Sequence, residues 1–85
     1  MKKVISVRPL EEKKVAVVFS DGVSGVFDVG PYIKSDFFKR LEDEAYFKQV
    51  RLFFSGIGWP EGHDLGTDTI EADLQYPGLS GLMAS

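Results

Sequence analysis

The sequence predicts an α+β fold: a small two-layer domain in which an antiparallel three-strand meander is followed by a helical segment and further strand structure, in the order β-β-β-α-β-β. Three observations predict it. Short β-branched runs fill the first thirty residues and are broken by turn residues; an aromatic-rich stretch at helical spacing covers residues 35–47; and alternation returns at Val50, Leu52 and Phe54. A length of 85 residues is enough for one hydrophobic core. One domain over residues 1–73 is expected, with residues 74–85 as a flexible C-terminal tail.

Residues 3–8 are short and β-branched and are stopped by Pro9, which suits a strand at a sheet edge. Residues 11–14 are polar and read as a turn. The run Val15-Ala16-Val17-Val18-Phe19 then enters Ser20-Asp21-Gly22-Val23, and Asp-Gly between apolar runs is a strong hairpin signal. With Asp21 and Gly22 as the two residues of a type I′ turn, 19 faces 24, 17 faces 26 and 15 faces 28. That register puts Val15, Val17, Phe19 and Val26 on one face and Ala16, Val18, Phe27 and Val29 on the other. Both faces are then apolar, so the second needs cover from the C-terminal part of the chain, a second subunit or a partner.

After Gly30-Pro31, Ser35 or Asp36 can cap a short helix carrying Phe37, Phe38 and Leu41. Asp43 can start another turn through Glu44-Ala45-Tyr46-Phe47, giving two short pieces or one bent helix. The next strand is expected to turn at Ser55-Gly56 and return through Ile57-Gly58-Trp59. Asp68 and Glu71 have the spacing of a capping box, which predicts a last helical turn from Asp68. Residues 74–85 carry no charge, and Pro77, Gly78 and Gly81 oppose regular structure.

Composition narrows the function classes. The chain is 44% hydrophobic and 27% charged, which is globular. It has no cysteine, which excludes a disulfide framework and a thiolate zinc site. No run approaches the roughly 20 apolar residues of a membrane span, and the Val4-Ile5 run is too short for a signal-peptide core, so a cytoplasmic location is expected. The net charge is −3, and its distribution is uneven. Ten cations face eight acids up to Arg51, after which five acids follow with no cation. The acidic part either folds back on the basic one, is solvated, or forms a face for a basic partner.

No catalytic constellation emerges. His63 adjoins Asp64, but neighbours in an extended loop point different ways, no Gly-x-Ser-x-Gly elbow accompanies them and no second histidine can share a metal. His63 is therefore expected as an exposed loop residue, with Asp64 accepting backbone N–H bonds after Gly62. The acids Asp64, Asp68, Glu71 and Asp73 miss the calcium-loop template, because Gly66 stands where an oxygen ligand belongs. Gly22-x-x-Gly25 lies within a hairpin rather than between a strand and a helix, so it is no phosphate loop. These readings imply no enzyme, no metal and no cofactor. Lys2, Lys3, Arg8, Lys13 and Lys14 could gather at one end of the first hairpin, with Phe53 and Trp59 as stacking surfaces for nucleic acid, but the acidic net charge argues against such a partner. Trp59 reads first as a core anchor. With its loop it also defines the candidate partner-binding set Trp59, Glu61, His63, Asp64, Leu65 and Asp68.

Phe19-Ser20-Asp21-Gly22, Asp28-Val29, Phe38-x-x-Leu41, Phe47-x-x-Val50 and Trp59-Pro60-Glu61-Gly62-His63-Asp64-Leu65, in this order, resemble the bacterial domain-of-unknown-function family 2442 over about residues 2–73. The resemblance implies a small α+β fold with a three-strand meander. It also implies an accessory protein of the kind encoded beside small toxin-like proteins, sometimes with an added helix-turn-helix domain, for which the residues after Asp73 are too few. It supplies no catalytic residues. The function expected is a non-enzymatic protein-interaction or accessory domain, an antitoxin-like partner of a small basic toxin or a homodimer. The alternative is a self-associating regulator that contacts nucleic acid weakly through its basic N-terminal half.

Overall fold

The computed structural model describes residues 2–75. The first sheet holds β1 (Val4–Pro9), β2 (Lys14–Phe19) and β3 (Ser24–Asp28) in the order β1-β2-β3, antiparallel throughout. This is the predicted meander, with Pro9 on an edge strand where its missing N–H is harmless.

Its register differs by one residue from the expected one. Val15 faces Phe27 and Val17 faces Gly25. The loop contains three residues rather than two: Ser20 joins Asp21 and Gly22, the Gly22 N–H donates to the Phe19 carbonyl at 2.9 Å, and Gly22 takes the left-handed conformation (φ +88°) while Asp21 does not. The Asp21 carboxylate accepts the Val23 N–H at 3.0 Å and fixes the exit. A slip of one residue sends every side chain of a strand to the opposite face. Phe27 and Val29 therefore join Val15, Val17 and Phe19 in the core, and all five are buried. Val26 moves outward beside half-buried Ala16 and Val18, among Ser6, Arg8, Lys14, Ser24 and Asp28. The expected pair of apolar faces is thus replaced by one buried face and one mixed face. The C-terminal part of the described chain closes the edge of β3 instead of covering this outer face. Val26 and Gln75 exchange two backbone hydrogen bonds of 2.8 Å, and Leu74 is buried. The fold therefore continues two residues past the expected boundary at Asp73, and the rest of the expected tail lies outside the described residues.

The helical segment is built from single turns. α1 (Gly30–Ile33), absent from the sequence reading, carries Pro31 in its first turn, where the missing N–H has no intrahelical partner to lose. Ser35 Oγ accepts the Phe38 N–H at 3.4 Å, but the regular piece that follows is a 3-10 helix, Lys39–Glu42. α2 (Glu44–Phe47) starts as predicted, with the Asp43 carboxylate accepting the N–H groups of Ala45 (2.9 Å) and Tyr46 (3.4 Å).

A second sheet follows, with β4 (Arg51–Phe53), β5 (Gly56–Gly58) and β6 (Asp64–Leu65) in the order β4-β5-β6. The β4–β5 turn also lies one residue earlier than expected: Phe53 faces Gly56, so Phe54 and Ser55 are the turn residues. Gly56 is required in β5 because a Cβ there would strike the backbone of Leu65 and Gly66. The last helix, α3 (Thr67–Ala72), begins at Thr67 with Gly66 as its N-cap, so Asp68 lies inside the first turn and the expected capping box does not form. The Thr67 hydroxyl donates instead to the Ser55 carbonyl, which ties α3 to the β4–β5 turn.

The two sheets and the helical turns enclose one core centred on Phe19, Phe27, Phe47, Ile57, Trp59 and Ile70. Each such side chain contributes about 1.5–3 kcal/mol by leaving water. Among the described residues no helix is long and apolar enough to cross a membrane.

Candidate functional site

The loop from Trp59 to Leu65 is closed by its own backbone. The Trp59 N–H donates to the His63 carbonyl at 2.8 Å, and the Gly62 N–H donates to the Trp59 carbonyl at 3.0 Å, with Gly62 left-handed at φ +104°. These bonds leave Asp64 without the turn-fixing role expected of it; it lies in β6, exposed. Trp59 is 2% exposed, and its indole N–H donates to the Phe47 carbonyl at 2.9 Å, so the ring anchors the core against α2.

His63 is also buried, at 9% exposure, which corrects the expected loop histidine. Its Nδ1 is 2.9 Å from the Tyr46 hydroxyl, which accepts the Glu61 N–H at 2.9 Å. With that N–H arriving, the Tyr46 O–H is free to donate to an unprotonated Nδ1, an assignment made from the network. The imidazole packs against Phe37, Tyr46 and Phe38 at centroid distances of 5.1, 5.6 and 6.1 Å. Arg40 lies over the outer face of Tyr46 at 4.4 Å and reaches Asp43 (3.1 Å) and Glu61 (3.3 Å). This arrangement braces the loop against the helical segment. It was not readable from the sequence, since Tyr46 and His63 are 17 residues apart.

The six residues singled out for partner binding do not form one surface. Trp59, His63 and Leu65 are buried, while Glu61, Asp64 and Asp68 are exposed. Glu61 sits in the loop at one end of β5, held by Arg40, and Asp68 sits beside Ser55 at the other end, where both line an open cleft of about 530 Å³. Among the described residues no group of three or more His, Cys, Asp or Glu is placed to hold a metal ion.

Part of the acidic third folds onto basic residues. Lys2 pairs with Glu71 and, at 3.1 Å, with Asp21; these hydrogen bonds, Glu71 first, raise the lysine pKa. Asp73 accepts the Tyr32 hydroxyl at 2.6 Å, a bond that raises the phenol pKa. The N-terminal lysines do not gather. Lys2 and Lys3 precede β1, whereas Lys13 and Lys14 lie beyond its other end, and six strand residues span about 20 Å. Lys13 is occupied by Glu44 (2.6 Å), the Glu42 carbonyl (3.1 Å) and the ring of Phe47 (5.3 Å).

The feature the sequence reading missed is the β4–β5 tip. Phe54 is 89% exposed and held at φ +52°, a region that a bulky residue rarely enters. Its ring meets Phe53 edge-on at 4.6 Å. The tip is fastened to β1 by the Val4 N–H, which donates to the Ser55 carbonyl at 2.8 Å. Beside that bond stands Ile5, the extra residue of a β-bulge, 48% exposed; Leu52, two residues before Phe54, is 45% exposed. Ile5, Leu52 and Phe54 are three of the four exposed large hydrophobic residues of the described chain. The available signal was the doublet Phe53-Phe54 before Ser55: an alternating strand cannot bury both.

The family model DUF2442, described as a protein of unknown function, matches residues 4–76, a span that includes the paired Gln75. No curated protein and no solved structure matched the chain.

Proposed function

Because the chain belongs to the DUF2442 family, whose description assigns no function, its role has to be read from its surface, and we propose that it is a non-enzymatic protein-interaction domain. The observation that carries this reading is Phe54: an aromatic ring held in water on a left-handed backbone. The conformation costs about 1–2 kcal/mol in a non-glycine residue, and the exposed ring returns no burial energy within the described fold. Aromatic side chains of this kind act as anchors when a partner covers them.

The finer form of the reading is an accessory domain of bacterial type that serves as the antitoxin-like partner of a small basic toxin. It is supported by Asp64 and Asp68, which are exposed and carry no ion pair with another described residue. Such free carboxylates steer a basic protein toward its docking site. The test is association of the purified chain, measured by its mass in solution and by retention of the purified product of the adjacent gene. Wild type is expected to associate and Phe54→Asp to lose association while keeping its circular dichroism spectrum. A wild-type monomer that retains nothing of the neighbour's product would remove the interaction reading. Retention without relief of the neighbour's toxicity on co-expression would remove its antitoxin form alone.

A further inference from the structure

The turn between β2 and β3 carries Asp21-Gly22, the one Asp-Gly pair in a chain that has no asparagine. An aspartate closes most readily on the following backbone nitrogen when that residue is glycine, which has no side chain to crowd the ring. We infer that Asp21 is the site of isoaspartate formation in this chain, and that the folded turn holds the site shut with Lys2 and the Val23 N–H as its lock. No partner is required.

The covalent step needs nothing but water. The Gly22 nitrogen attacks Asp21 Cγ; a C–N bond forms and the Cγ–OH bond breaks, the hydroxyl leaving as water with the proton of the Gly22 amide. Water then adds to the succinimide. Opening at the Cγ carbonyl restores aspartate, whereas opening at the α-carbonyl leaves the chain running through Cγ, one methylene longer, as isoaspartate. One water leaves and one enters, with no change of oxidation state.

Each atom this reaction uses is already engaged. The Gly22 N–H donates to the Phe19 carbonyl at 2.9 Å. Asp21 Oδ1 accepts the Val23 N–H at 3.0 Å, and Oδ2 meets Lys2 Nζ at 3.1 Å. Whichever oxygen departs, one of these two bonds is lost. Both bonds also favour the ionised carboxyl, the Val23 N–H first and Lys2 second, and an ionised carboxyl has no hydroxyl to expel. Lys2 meets Asp21 with little further ordering, because Glu71 of α3 already holds it and its ammonium lies 4.7 Å from the centroid of the Phe19 ring. The Asp21 side chain is 48% exposed, so these bonds, not burial, separate it from the reaction. Isoaspartate would take the carboxylate away from Val23 and lengthen a three-residue loop that has no room for another atom in its register.

The full chain, native and in guanidinium chloride, is incubated in warm neutral buffer. Isoaspartate is measured by enzymatic methylation of the isoaspartyl carboxylate and located by peptide mapping. Unfolded wild type is expected to form it several times faster than native wild type, first at residue 21. Lys2→Ala, with an unchanged circular dichroism spectrum, is expected to speed the native reaction several-fold and to leave the unfolded rate as it was. Glu71→Gln, which removes the tie to α3 but leaves the Lys2–Asp21 pair, is expected to stay near the native wild-type rate; a lysine that only supported the fold would make the two variants alike. Equal rates in native and unfolded wild type overturn the shut turn, and isoaspartate appearing first at another aspartate overturns the site. A native Lys2→Ala rate equal to wild type, or one matched by Glu71→Gln, overturns the lock.

Discussion

The turn between β2 and β3 and the turn between β4 and β5 reverse the chain in similar ways, yet they treat left-handed backbone differently. In the first, the position at φ +88° is Gly22, which has no Cβ to clash, and Asp21 accepts the Val23 N–H to lock the exit. In the second, the position at φ +52° is Phe54, with its ring in solvent. The turn between β1 and β2 is a control. Glu12 and Lys13 are also left-handed there, but Lys13 is drawn into that shape by Glu44, the Glu42 carbonyl and the Phe47 ring. Strain at Lys13 has a cause inside the fold. Strain at Phe54 has, among the described residues, only the neighbouring Phe53 ring to set against it.

The sharpest contrast sets the tip against the far end of β5. Trp59→Ala removes a buried ring and its bond to Phe47, and is expected to cost about 3–5 kcal/mol in chemical denaturation. Phe54→Ala, on the same hairpin, is expected to change the unfolding free energy by less than about 0.5 kcal/mol, as surface substitutions do. Equal losses at the two positions would show that Phe54 belongs to the core and would end the comparison.

A second pair exchanges the turn chemistry. Gly22→Ala places a Cβ at φ +88° and is expected to destabilise by about 1–2 kcal/mol. Phe54→Gly relieves a similar strain, offset by about 0.5–1 kcal/mol of backbone entropy, so a net gain of roughly 0.5–1 kcal/mol is expected. The informative outcome is the combination: Phe54→Gly more stable than wild type and unable to associate. A variant that gains stability and keeps association would show that the ring is dispensable.

How much of this was legible in the sequence follows the same division. The meander and the Asp43 cap were readable because local chemistry and final conformation agree there; the helical segment was placed, but its first turn, Gly30–Ile33, was not read. Both hairpin registers were misplaced by one residue. At the first, Asp-Gly suggested a two-residue loop, but Gly22 alone is left-handed and Ser20 joins the turn. At the second, local preference favours Ser55-Gly56, and nothing local recommends Phe54 for a left-handed position. The burial of His63 was hidden for another reason. It depends on Tyr46, Phe37 and Phe38, which tertiary contact brings to the loop from elsewhere in the chain. The loop through Leu65 was placed because its turn residues are local, but three of the six residues singled out for partner binding, Trp59, His63 and Leu65, are buried. The tip was missed because exposure of Phe54 is a property of register.

Acid should separate the two turns by the smallest effect. The Val23 N–H, and after it Lys2, hold the Asp21 carboxyl below its ordinary value of 3.8. A carboxylate whose pKa is depressed by folding contributes stability that is fully present above the unfolded value and is lost as pH falls through the folded one. Amide exchange at Val23 should therefore quicken as pH drops below 3.8, after correction for intrinsic exchange. The amides of Phe54, Ser55 and Gly56 should show no matching step, since no described carboxylate bonds to that turn. The lowered Asp43 carboxyl, held mainly by the Tyr46 N–H and then by Arg40, should release α2 over the same acid range, so Tyr46 serves as an internal reference. A common acid step at Val23, Tyr46 and Ser55 would mean that the whole fold opens as one unit. The tip would then share the stability of the meander instead of standing apart from it, and the case for Phe54 as a residue kept for a partner would lose its contrast.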